Sequence, residues 1–396
     1  MCDGANDIEI HVIVAYPSLR RLFLAIAYIR TGLNNITTAA AADVLPEATA
    51  AFESAQLHPH NPDSKCFQAI LDFVAQYLHQ RSVHPRLWSL QNALRLSRLH
   101  SCVDAIADDF LIVALSHGPL KRLNLPPTLQ ERCRIERALY QFEIHCNLFR
   151  EIPGKRSSNI KSTQLGCIHD FLVRTVSPSF NDVAEHDVDW GSANVEYDNQ
   201  IDNSFIQFVL SLGLEKIHEI SRAETYEERY RALDANNCPN FNSDFLYAGL
   251  EEEANEQHPD GVELGEITPE NEKFYIKQPF YNDLNSGPKN AWRWAHIEEL
   301  QSHWVYQEDR AELREWGYVM WDQVRLDMTG VLQGPWENTL EKDPVLEEQE
   351  AGRERGYMQN SWEQREWVSK MGGSGWWSWG DRSKLKWNKS KKTPWD

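Results

Sequence analysis

Apolar residues recur three and four positions apart through much of the first 220 positions, the spacing that gathers side chains on one face of an α-helix. Leu19, Leu22, Phe23, Ile26 and Ile29 follow this rule after Pro17, with Ser18 placed to cap the first turn. A second helix is expected to start at Pro46, a residue suited to the first helical position, and to run through Ala50, Phe52 and Leu57 to the breakers Pro59 and Pro62. Phe67, Ile70, Leu71, Val74 and Leu78 repeat the pattern, and Pro85 opens a long run through Leu87, Leu90, Leu94, Val103, Ile106 and Phe110. After Pro126 and Pro127, Thr128 is placed to cap a helix whose buried stripe reads Ile135, Leu139, Phe142, Cys146 and Phe149, with Arg132, Arg134 and Arg137 expected to face away. Two further helices are expected over 160–176, with Leu165, Ile168 and Leu172 inward, and over 205–220, with Phe205, Phe208, Val209 and Leu212 inward. Strand signals are confined to the short stretches 8–14 and 274–276. The pattern predicts a mainly α fold, a multi-helix array of helical hairpins followed by a Trp-rich, partly irregular C-terminal region.

The helical spacing fades after residue 250. Glu251, Glu252 and Glu253 lead into Pro259, Gly261, Gly265 and Pro269, so 251–290 reads as an acidic linker or loop between a helical domain (1–250) and a C-terminal region (291–396). That last region holds 13 of the 15 tryptophans. Leu313, Trp316, Met320 and Val324 sit at helical spacing within it. Trp376, Trp377 and Trp379 stand among Gly372, Gly373, Gly375 and Gly380, ahead of a short basic tail beginning at Arg382 and Lys384.

A chain of 396 residues exceeds what one hydrophobic core organises, and 41% hydrophobic residues suffice to build two or three units. The formal charge of −19 is concentrated: positions 181–280 hold 23 acidic against 6 basic residues. Such a field repels phosphate backbones, so no nucleic-acid partner is expected, and the acidic stretch reads as a solvated face or as an attraction for a basic partner. Seven cysteines, odd in number and without a C-x-x-C pair, read as buried thiols of a reducing compartment. The apolar stretch 22–29 is too short to span a bilayer and is flanked by Arg20, Arg21 and Arg30. The expectation is an intracellular chain, of cytoplasm or nucleus, with no membrane span.

Candidate chemistry fails its templates. The run Gly372-Gly373-Ser374-Gly375 matches neither a nucleophile elbow nor a phosphate loop, and reads as a turn that lets indoles pack closely. The 14 histidines include no H-E-x-x-H, and only the loop pair His58 and His60 suggests ligand spacing. Glu143 and His145 point apart on a helix, while His169 with Asp170, and His100 with Asp104, are expected in surface or capping roles. The reading is a non-enzymatic chain with no metal and no cofactor. The tryptophans are expected to serve chiefly as core, with Trp376, Trp377 and Trp379 as the speculative ligand-binding set.

Three stretches carry a family resemblance: residues 15–24, reading AYPSLRRLFL; residues 134–143, reading RIERALYQFE, with Cys146 to Phe149; and residues 372–386. Together they resemble a group of filamentous-fungal proteins labelled F-box-domain-containing. The first stretch is similar to the end of that family's F-box, of which a partial module of a few turns is present. The resemblance implies a substrate adaptor of a cullin ubiquitin ligase, docking on the Skp1 subunit through Leu19, Leu22, Phe23 and Ile26 and recruiting a target with the remainder. Nothing in the sequence sets the oligomeric state.

Overall fold

The computed structural model describes residues 39–57, 68–70, 72–73, 77, 90–149, 163–193, 195, 203–233, 246, 283–297, 308–339 and 344–387. These residues are mainly α-helical. The stretches 8–14, 18–29, 251–282 and 274–276, and with them Leu19, Leu22, Phe23, Ile26, His58 and His60, lie outside the described residues.

Two compact units are present, and each is assembled from separate lengths of chain. The first takes Met1–Asp170, Gly213–Glu215 and Ala248–Leu340; the second takes Phe171–Leu212, Lys216–Tyr247 and Glu341–Asp396.

In the first unit, α1 (Ala39–Ser54), α2 (Leu90–Ser116) and α3 (Leu129–Phe149) pack on one another. Pro46 lies inside α1 rather than at its start. The α3 stripe belongs to the core: Ile135, Leu139, Phe142 and Cys146 are buried, as are Leu96, Val103, Ile106 and Phe110 of α2. Thr128 caps α3 as its position predicts: its Oγ1 accepts from the Glu131 amide at 3.2 Å while Glu131 Oε2 accepts from the Thr128 amide at 2.8 Å, the reciprocal pair of a capping box. The first unit also holds α4 (Thr163–His186) up to Asp170, and the short helices α9 (Gly287–Ala295), α10 (Ala311–Glu315) and α11 (Gln323–Thr329). The spacing of Leu313, Trp316, Met320 and Val324 does not make one helix. Gly317 takes φ +62° between α10 and α11, and a side chain there would meet Phe110 Cζ at 2.8 Å, so the chain turns. Leu313, Trp316 and Met320 are buried, but Val324 is exposed on α11.

The second unit holds the rest of α4, with α5 (Val188–Ser192), α6 (Ser204–Ser211), most of α7 (Leu214–Ser221), α8 (Tyr226–Ala232) and the long α12 (Pro344–Lys370). The expected helix over 205–220 is two, because Gly213 at φ +92° ends α6 and starts α7. Phe180, Trp190 and Phe205 pack ring against ring at 4.9 to 5.7 Å, with α5 laid along α12. Gly191 sets that approach: a Cβ there would lie 2.5 Å from Arg365 Cβ. After α12, β1 (Gly373–Gly375) and β2 (Leu385–Trp387) form an antiparallel hairpin in the register Gly373 to Trp387 and Gly375 to Leu385. The glycine run is therefore a strand and its entry, not only a turn, and the helical expectation missed it.

Candidate functional site

The expectation that Arg132, Arg134 and Arg137 face away from the core is overturned. Arg134 is 1% and Arg137 3% exposed, and Arg132 is half-buried in contacts with Asp104, Asp108 and Glu136. Carboxylates from distant sequence meet them. Arg134 donates to both oxygens of Asp283 and to the Met320 carbonyl, and pairs with Asp322 at 2.8 Å. Arg325 forks onto the two oxygens of Glu131 at 2.9 and 2.8 Å and donates to the Pro126 carbonyl at 2.7 Å. Thr128 Oγ1 donates to Asp322 at 2.7 Å, so the first turns of α3 and α11 are tied into one closed ionic network. A bidentate guanidinium–carboxylate pair of this kind satisfies in pairs the charges that burial would otherwise strand.

The acid–base candidates lie in the same interior. His169 and Asp170 are buried, against the expected surface or capping role, and Asp170 accepts from Arg314 at 2.6 Å. His145 is buried beside His169, and burial first, then its neighbour's charge, pushes its pKa down to about 3, so it is neutral at physiological pH. Glu143 is turned elsewhere and accepts the Leu214 amide at 2.8 Å. His100 bonds Tyr140 Oη at 2.8 Å, and Asp104 accepts from Arg132 at 2.6 Å. Burial, followed by Glu215 and Glu143, raises the Cys102 thiol to about 11, which removes it as a nucleophile. The buried-thiol reading holds for Cys133, Cys146 and Cys167, while Cys102 is half-buried. Among the described residues, no group of three or more His, Cys, Asp or Glu side chains is arranged to hold a metal ion, and no helix is long and apolar enough to cross a membrane.

The three candidate indoles sit on the hairpin of the second unit and have three different environments. Trp377 is 3% exposed and, with Leu385 and Trp387, packs on Val188, Trp367 and Val368. Its backbone is fastened to the end of α4. The Trp377 amide donates to the His186 carbonyl at 2.9 Å, and His186 Nδ1 donates to the Trp377 carbonyl at 3.0 Å, which fixes the proton on that nitrogen. Trp376 is engaged by the His186 ring at 4.7 Å and by Lys384 Nζ at 4.2 Å from its centroid. Trp379, edge-on to Trp377 at 5.1 Å, is 49% exposed. The crevice beneath, lined by Gln364, Trp367, Trp377, Arg382 and Trp387, has no interior space for even a water molecule, unlike the cavities that hold small molecules.

Behind the hairpin stands a polar clamp that the sequence did not disclose. Asp187 caps α5 by accepting the Trp190 amide at 2.8 Å and also accepts the Tyr226 hydroxyl. Burial pushes the Asp187 carboxyl above the usual carboxylate range although both of these bonds pull it down. The buried Arg365 donates to the Asp187 carbonyl at 2.9 Å and to Ser361 Oγ at 3.1 Å, and Ser361 donates to the Glu185 carbonyl at 2.9 Å. Asp187 and Arg365 are 178 positions apart, and no local spacing signals their pairing. The outcome is a rigid base under an indole that faces solvent.

The chain matches no protein-family model, no curated protein and no solved structure.

Proposed function

We propose that the chain is a non-enzymatic protein-interaction protein, an adaptor of the F-box type, in which the hairpin around Trp379 contacts the recruited protein. The observation that carries this reading is the exposure of Trp379 on a hairpin whose other indoles, Trp376, Trp377 and Trp387, are buried or partly buried. A half-exposed indole on a fixed support loses little conformational entropy when covered, which makes it a good anchor for a partner. The acid–base candidates support the same reading, because Asp170 is committed to an arginine and Glu143 to a backbone amide. A small-molecule role for Trp376, Trp377 and Trp379 together is less well supported, since two of the three are already engaged.

The ligase side of the adaptor rests on the resemblance of residues 15–24, with Leu19, Leu22, Phe23 and Ile26 as the face offered to Skp1. Size-exclusion of the purified chain mixed with purified Skp1 tests it. Co-elution that is lost in Leu22→Asp and in Phe23→Asp is expected; separate elution of the wild-type chain would refute the adaptor assignment.

A further inference from the structure

We propose that the hairpin binds an extended acidic peptide, with carboxylate and aliphatic side chains in alternation, laid alongside β2 as a third strand. This rests on the reading of the hairpin as a contact surface and names the chemistry of what it contacts.

Among the described residues β2 pairs only with β1, its Leu385 amide donating to the Arg382 carbonyl at 3.2 Å and its remaining edge groups left to a further strand, whereas the β1 limb is held on its other side by the bridge between Trp376 and Asp187. An unpaired strand edge presents backbone donors and acceptors to any chain that can extend beside it.

Arg382, Lys384 and Lys386 are exposed, and Asp381 is the one carboxylate between 371 and 387. That carboxylate is already engaged, accepting the Ser383 amide at 2.9 Å and the Ser383 hydroxyl at 2.6 Å. The hairpin thus carries three exposed cationic side chains and one engaged carboxylate on a chain of charge −19.

Leu385 and Trp387 face the aromatic crevice. Lys384 lies over Trp376, and the Lys386 stem passes within 3.8 Å of where a Gly375 Cβ would be, so the two lysines occupy the opposite face. A peptide strand in register therefore meets ammonium groups with every second side chain and the apolar rim with the others. Lysines on an edge strand ordinarily repel stray pairing; here the same lysines select for carboxylates. A single-stranded nucleic acid is disfavoured, because one open indole is not the row of stacking platforms that single strands use.

Fluorescence anisotropy of a fluorescein-labelled (Glu-Val)4 octapeptide with the full chain is the test, with (Lys-Val)4 and (Glu-Pro)4 as controls. The first control reverses the charge, and the second keeps the charge but lacks half of the pairing amides. Saturable binding of (Glu-Val)4 is expected, weakened about tenfold or more by the Lys384→Glu/Lys386→Glu pair and by the proline spacing, and absent for (Lys-Val)4. Lys386→Gln alone, which leaves Trp376 covered, is expected to weaken binding in the same direction with an unchanged circular dichroism spectrum. Equal binding of (Glu-Pro)4, indifference to the lysine changes, or no binding of (Glu-Val)4 overturns the proposal. If (Glu-Val)4 fails while a labelled oligothymidine or anionic vesicles bind in a Trp379-dependent way, the acidic peptide falls and the contact surface stands. If none of the three binds, both fall.

Discussion

At the scale of single residues, the interior of the first unit is governed by paired charge as much as by apolar packing. Asp170 and Arg314 are both buried and bonded at 2.6 Å, so removing either one leaves the other's charge stranded. Asp170→Ala is expected to cost about 3–5 kcal/mol in urea unfolding, and the Asp170→Leu/Arg314→Met pair much less. His145 gives the unit an acid sensitivity of known sign. Its folded pKa of about 3 lies below the ordinary 6.5, so the unfolded chain takes up a proton first as pH falls. Stability is complete above pH 6.5 and is lost progressively toward pH 3, by about 1.4 kcal/mol per pH unit for one proton. Urea midpoints at pH 6.5 and 5 are expected to show His145→Gln relieved of about 2 kcal/mol of that loss. Sequence reading saw Ile135, Leu139 and Phe142 as core because their spacing is local. It placed Arg134 and Arg137 outside because their partners lie on other segments, at Asp283 and Asp322 for Arg134 and at Glu47 for Arg137.

At the scale of elements, caps and glycines decide where helices stop and how closely they approach. The Thr128–Glu131 capping box was legible because its two members are three positions apart, a fixed local rule. Thr128→Ala is expected to lose about 1 kcal/mol, with some of it from the broken bond to Asp322. Gly191 carries no such local mark, since what forbids a side chain there is Arg365 on α12. Gly191→Ala is expected to force α5 off α12 and lower the thermal midpoint, at a cost of about 1–3 kcal/mol. The hairpin was missed for a related reason. Strands of three residues, one of them Gly-Ser-Gly, offer too short an alternation to register, and the pairing with β2 spans the intervening indoles.

For the molecule as a whole, the mainly α character was legible, while the sorting of segments into two units was not. Residues 344–387 group with 171–212 and 216–247, and residues 283–339 group with the chain before 170. Such membership depends on ion pairs and ring contacts between distant segments, and composition does not record them. The reading of the tryptophans as core holds in part: of the twelve described, five are buried, Trp190, Trp316 and Trp321 among the largest fully buried side chains, six are partly buried and Trp379 is exposed. Of the candidate site, the sequence showed where the indoles are but not which one is left to solvent. That selection is made by His186, Lys384 and the packing of Trp377 on Val188 and Val368. The adaptor account then separates two functions on one chain, a Skp1 contact at Leu22 and a target contact at Trp379. Quantitative affinity purification of the tagged wild-type, Leu22→Asp and Trp379→Ala chains from one cell type tests it most directly. The account predicts that Skp1 is lost from Leu22→Asp alone and that a distinct set of proteins is lost from Trp379→Ala alone. Absence of Skp1 from the wild-type chain, or a Trp379→Ala profile identical to wild type, would contradict it.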